Sequence, residues 1–102
     1  MAHLKYHTAN AVKQAVPPSL FYGTYLTGSL GKHTGNDWHS WNGLCPFHND
    51  KRAGSFYINK KSGAFKCFSC GASGGDIIDF MMQKSGLPFP EAIKSLGGMA
   101  HA

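Results

Sequence analysis

Cysteine and histidine spacing constrains this chain more than any other feature: Cys45-Pro46-Phe47-His48, then eighteen residues, then Cys67-Phe68-Ser69-Cys70-Gly71. Two donors separated by two residues stand about one tetrahedral edge apart, and the long gap has room for a strand, a turn and a strand that bring the two edges together. Soft thiolate and borderline imidazole donors suit Zn²⁺, although iron accepts the same set and availability decides between them. Four protein ligands close the shell, whereas a catalytic zinc keeps a position for water, so one structural zinc on Cys45, His48, Cys67 and Cys70 is expected. Gly71 fits this site because a residue without Cβ takes positive φ and helps turn amides toward thiolate sulfur. A thioredoxin-like redox pair at Cys67 and Cys70, or a metal-free cysteine cluster, leaves the Cys45/His48 pair unexplained. His39 is a reserve ligand, while His3, His7, His33 and His101 have no spacing partner as good as His48 and read as surface or satisfied residues.

With 102 residues the chain has room for one domain, and its 13 glycines and 5 prolines imply short elements around a modest core. A core of that size needs a staple, which the metal supplies. Ten Lys and Arg against five Asp and Glu give +5, and three thiolates with one Zn²⁺ lower this only to +4, a balance suited to a polyanion such as nucleic acid. The odd number of cysteines (three) and the N-terminal composition point to a reducing cytoplasm. No apolar run approaches the ~20 residues that span a bilayer, so a soluble protein without membrane contact is expected; a monomer is expected as well.

Thr8 is placed to cap a helix through Val16, which Pro17-Pro18 ends, and Ser19 to Leu26 carries apolar residues at helical spacings. Thr27 to Asp37, with three glycines and an asparagine, reads as a solvated loop. Trp38–Leu44 and Ser55–Asn59 read as strands, and Lys60-Lys61-Ser62-Gly63 as a turn returning the chain through Ala64–Cys67. Gly71 to Gly75 reads as a connector before a helix from Asp76 to Lys84, stopped by Gly86. Pro90 opens a last helix with Ala92, Ile93 and Leu96, ended by Gly97-Gly98. The fold class expected is small α+β, with a lead-in over residues 1–30 and a metal-bound antiparallel sheet with short helices over 31–102.

From Leu44 to Leu96 the chain resembles the CHC2-type zinc finger of bacterial DnaG-type DNA primases, where it stands at the N-terminus. Cys45-Pro46-Phe47-His48-Asn49-Asp50, Ser55-Phe56, Phe65-Lys66-Cys67-Phe68-Ser69-Cys70-Gly71, Gly74-Gly75-Asp76-Ile77-Ile78-Asp79-Phe80 and Phe89-Pro90-Glu91-Ala92 carry the likeness. Val16-Pro17-Pro18-Ser19-Leu20-Phe21-Tyr22 is similar to the lead-in of short CHC2 proteins of plasmids and integrative elements. The resemblance implies a zinc ribbon that binds single-stranded DNA template and supports RNA primer synthesis by a separate Toprim-type polymerase domain; the partner expected is that domain or a replicative helicase. Two departures are visible: Ala53-Gly54 stands where the family has Thr-Pro before Ser-Phe, and no polymerase domain follows within these 102 residues.

The residues favour the same task. Phe56, Tyr57, Phe65, Phe68, Trp38 and Trp41 are interleaved with Lys51, Arg52, Lys60, Lys61 and Lys66, a mixture that stacks unpaired bases and neutralises phosphates. In so small a domain about half of these aromatics belong to the core, and the DNA-binding set expected is Lys51, Arg52, Tyr57, Lys60, Lys61 and Lys66. Primer synthesis needs clustered carboxylates for Mg²⁺, whereas Asp37, Asp50, Asp76, Asp79 and Glu91 are scattered, so the chain itself is expected to be non-catalytic. The other reading is a stand-alone zinc-ribbon interaction or regulatory module of a mobile element, whose basic face meets a protein.

Overall fold

The computed structural model describes residues 8–101. His3 and His7 therefore lie outside the described residues. Two short helices, α1 (Ala9–Ala15) and α2 (Pro18–Tyr25), lead into strands β1 (Ser29–Gly35), β2 (Trp38–Asn42), β3 (Phe56–Asn59), β4 (Phe65–Cys67) and β5 (Ser73–Gly74). Helices α3 (Ile77–Ser85) and α4 (Phe89–His101) follow. The five strands form one antiparallel sheet in chain order. This is the small α+β arrangement expected, and none of the helices among the described residues is long and apolar enough to cross a membrane.

Local chemistry accounts for several helix ends. Thr8 Oγ1 accepts from the Ala11 amide at 3.2 Å and starts α1; Pro18 at the first turn of α2 needs no amide partner. Asp76 Oδ1 accepts from the Asp79 amide at 2.8 Å to cap α3, and Gly86, at φ 66°, ends it in the left-handed conformation.

Three expectations are corrected. Residues 27–37 are not a loop: Ser29–Gly35 is an edge strand paired with β2. Asn36 and Asp37, at φ 48° and 69°, make the two-residue turn that matches the twist of a hairpin, and the glycines sit at bulges and close approaches. A Cβ on Gly31 would stand 2.7 Å from the Ser40 carbonyl oxygen. Second, the 71–75 segment contributes β5, because Ser73 and Gly74 pair with Lys66 and Phe65. Third, Gly97-Gly98 does not end the last helix, which runs to His101. Each glycine costs about 1 kcal/mol of propensity, and the burial of Ala92, Ile93 and Leu96 on the same helix outweighs it.

The core lies between the inner sheet face and the four helices. Trp41, Phe56, Ile58 and Phe65 come from the sheet; Val12, Val16, Phe21 and Tyr22 from α1, α2 and the link between them; Ile77, Ile78, Phe80 and Met81 from α3. Phe80 is its hub. Its ring meets Phe21, Tyr22, Phe47 and Phe65 nearly edge-on, at centroid separations of 5.5, 5.2, 5.2 and 5.3 Å. The hydroxyl of buried Tyr22 donates to the Gly63 carbonyl at 2.7 Å, pinning the β3–β4 turn to α2. Buried Asn59 organises that turn from within: its Oδ1 accepts from the Lys61 and Ser62 amides at 3.0 and 2.9 Å, and its Nδ2 donates to the Asn36 carbonyl at 3.2 Å. One side chain thus ties the two hairpin turns together.

Replacing Tyr22 with Phe keeps the ring packing and strands the Gly63 carbonyl. The expected cost is about 1–2 kcal/mol in chemical denaturation with zinc binding retained; an unchanged midpoint would show that the bond contributes nothing net.

Candidate metal centre

Cys67 ends β4, opposite Phe56 of β3, so the β3–β4 hairpin delivers it to its open end. The β2–β3 connection returns to the same end and brings Cys45 and His48 in a tight turn. Within this group the four donor atoms of Cys45, His48, Cys67 and Cys70 lie within 4.8 Å of one another. The Sγ atoms of Cys45 and Cys70 are 3.9 Å apart, and Cys67 Sγ is 3.8 Å from His48 Nδ1. A tetrahedral Zn²⁺ with 2.3 Å bonds to sulfur has edges of about 3.8 Å. The donors therefore fit one zinc, with Nδ1 as the imidazole ligand.

Backbone amides aim at the sulfurs. Phe47 N–H donates to Cys45 Sγ, and the Ser69 and Cys70 amides donate to Cys67 Sγ, each at 3.4 Å. Gly71 has the positive φ (82°) expected of it, although its own amide goes to the Cys67 carbonyl at 3.0 Å. These contacts divide the thiols. Burial pushes the Cys45 thiol above its ordinary range, while at Cys67 the opposing effect of burial is outweighed by the amides of Cys70 and Ser69 and the Ser55 hydroxyl, which hold it below. Cys45 and Cys67 are buried and Cys70 is exposed, a shell closed by protein on one side.

Residues 29–102 match the CHC2 zinc finger, the zinc ribbon of DnaG. The chain belongs to the CHC2 zinc finger family. It is 40% identical over 62 residues to the DNA primase of Listeria monocytogenes, covering 61% of this chain and 10% of that protein. With the DNA primase of Geobacillus stearothermophilus it shares 47% identity over 58 residues, 57% of this chain and 9% of that protein. The Enterococcus faecalis DNA primase is 30% identical over 95 residues, 91% of this chain and 15% of that protein. The chain thus spans between 9% and 15% of the length of these relatives.

In this CHC2 finger a carboxylate organises the first pair of ligands. Asp50 Oδ2 accepts from the Cys45 amide at 2.9 Å and the Ser55 hydroxyl at 3.2 Å, while Oδ1 accepts from the Lys51 amide at 3.0 Å and lies 3.4 Å from His48 Nε2. The Cys45 amide first, then the Ser55 hydroxyl and the Lys51 amide, hold its carboxyl below the usual carboxylate range. An imidazole whose Nε2–H is engaged by a carboxylate presents Nδ1 to the metal in the required tautomer. Sequence reasoning did not assign Asp50 this role; the available signal was a carboxylate two residues beyond the histidine ligand.

His39, the reserve ligand, is not part of the four-residue group. Of the residues expected to bind DNA, Lys51 and Arg52 are exposed after the first ligand pair and Lys66 is exposed on β4. Half-buried Tyr57 is the register partner of Lys66, so the two share the outer sheet face. Lys60 and Lys61 are exposed in the β3–β4 turn, at the other end of the hairpin. The six residues thus do not form one patch.

Two aromatic residues outside that set stand beside it. Phe68 lies between the second pair of ligands and is 69% exposed. Its ring meets Tyr57 edge-on at 5.2 Å, and Lys66 Nζ stands 5.2 Å from its centroid. Thr34, Trp38, Tyr57, Lys66 and Phe68 line a recess of about 390 Å³. Phe68 also borders a second recess, of about 550 Å³, with Lys51 and Arg52. Of the six aromatics, about half of which are expected inside without the sequence saying which, Trp41, Phe56 and Phe65 are buried.

Two outcomes follow for the metal. Removing zinc with a strong chelator, or changing Cys67 to Ser, abolishes the folded sheet, read as loss of the circular dichroism signal and of dispersed amide resonances; an unchanged spectrum would refute the coupling of metal to fold. Asp50→Ala weakens zinc affinity about 10–100-fold in competition with a chromogenic chelator, the range seen when a partner of a metal-bound histidine is lost.

Proposed function

We propose that this CHC2 finger is the template-reading part of a DNA primase, binding single-stranded DNA on the outer face of its sheet so that a separate Toprim-type polymerase domain makes the RNA primer there. The recess between Trp38, Tyr57 and Phe68, with Lys66 at its wall, carries the reading. An unpaired base offers a flat apolar face to aromatic rings, and its phosphates meet lysine and arginine; duplex DNA hides those faces in its stack. Lys51 and Arg52 continue the basic surface past Phe68. Lys60 and Lys61, beyond the opposite end of the hairpin, serve a longer strand or none.

Phosphodiester formation is assigned to the other domain. Asp50 is occupied at the first ligand pair, and Asp76 and Asp79 stabilise the start of α3. The relatives' name, DNA primase, supports the same placement for a segment of this size. A replicative helicase is the other partner proposed, and a cytoplasmic setting follows from this role.

The test is a titration of zinc-loaded protein with fluorescent single-stranded and duplex DNA at several salt concentrations. Tighter binding to the single strand, weakening as salt rises, is the expected result. Phe68→Ala and Tyr57→Ala should each cost about 1–3 kcal/mol of binding, as loss of a stacking partner does, with zinc content unchanged. Lys66→Ala should weaken binding and flatten the salt dependence. Absence of binding at low salt would turn the basic face into a protein-docking surface.

A further inference from the structure

His33 and His39 lie directly opposite each other on β1 and β2, remote in role from the zinc ligands and unused by the proposed template face. The pair has three properties of a chelate. First, His39 Nδ1 is 3.0 Å from the Gly31 carbonyl, which can only accept, so Nδ1 carries the proton and Nε2 carries the lone pair. Second, that Nε2 is buried and has no hydrogen-bond partner, although His39 as a whole is only 9% exposed. A buried acceptor without a donor is rare in native structures and asks for an occupant. Third, the two ring centroids are 5.1 Å apart. With metal–nitrogen bonds of 2.0–2.1 Å, two imidazoles sharing a tetrahedral ion hold their centroids roughly 5.2 Å apart.

We propose that His33 and His39 form a second metal site, a two-imidazole clamp on the sheet edge that takes a first-row divalent cation of the Zn²⁺, Ni²⁺ or Cu²⁺ kind. His39 Nε2 is the fixed ligand, oriented by its bond to the Gly31 carbonyl as metal-bound histidines are. His33 is exposed and closes onto the ion from the edge strand, with water completing the shell. The clamp joins β1 to β2 between the two irregularities of their register, which flank His33. Imidazole without thiolate selects the borderline transition metals over Mg²⁺ and Ca²⁺, so the site discriminates against the abundant hard cations.

The experiment is a calorimetric titration of the tag-free, zinc-loaded full chain with further Zn²⁺, run beside His33→Ala and followed by long-range proton–nitrogen NMR of the histidine rings. His33→Ala alters an exposed edge-strand side chain, leaves the first zinc in place and provides the control for folding. A second equivalent that is weakened at least tenfold in His33→Ala, together with a displaced His39 Nε2 resonance, is the expected result. Binding of a single equivalent, a second equivalent that survives His33→Ala, or an unmoved His39 Nε2 overturns the proposal.

Discussion

Three sulfurs and an imidazole nitrogen within 4.8 Å of one another form an arrangement that repels itself once the thiols ionise, and only a multivalent cation makes it favourable. The strands that carry these donors have little to hold them otherwise. β4 has three residues and β5 two, below the length at which pairing sustains itself, and the connection from Gly43 to Ser55 contains no regular element. Zinc therefore closes the end of the sheet where the ligand-bearing turns lie. Phe47 joins this end to the aromatic cluster around Phe80: it lies inside the first ligand pair, and its ring stacks on Phe65 at 5.4 Å and meets Phe80 at 5.2 Å. Metal and core are thus coupled through one side chain, not only through the backbone.

The ligand positions also decide what the outside of the sheet displays. Successive residues of a strand point to opposite faces, so placing Cys67 inward, where the metal is, forces Lys66 outward. Register then places Tyr57 beside Lys66, with Phe56 and Ile58 inward. Phe68 follows for a different reason: the turn that wraps Cys67 and Cys70 around one ion leaves the residues between them outside. The basic aromatic face is a geometric consequence of where the cysteines stand.

Much of this was legible in the sequence because the governing interactions are local. Two-residue spacing in the ligand pairs, the Lys60–Gly63 turn, the Asp76 cap and the Gly86 stop act within a few residues, and each holds in the structure. The misreadings concern tertiary context. Gly28, Gly31 and Gly35 look like loop residues until β2 is present for Ser29–Gly35 to pair with; Ser73-Gly74 is a strand only because β4 offers an edge; Gly97-Gly98 stays helical because the face of α4 is buried. The parts of the site that spacing could not supply, Asp50, Phe68 and Trp38, depend on the direction of a side chain relative to a fold. His39 is the clearest instance: its residue type marked it as a spare ligand for the first metal, and strand pairing places it opposite His33 instead.

Charge placement carries the argument one step further. Three thiolates and Zn²⁺ leave the metal centre at −1, and the carboxylate of Asp50 beside His48 adds to it. In the proposed role, a strand of DNA on Phe68 would lie close to this negative centre. Lys51, Arg52 and Lys66 border the two recesses that share Phe68, so their charges offset the centre locally and leave a surplus facing solvent. The net +5 of the chain is therefore a poor guide to its field, since part of the basic charge serves to mask the metal site. In the proposed template-binding role, Lys51 and Arg52 in one recess and Lys66 in the other place cations on both sides of Phe68, close to the thiolates.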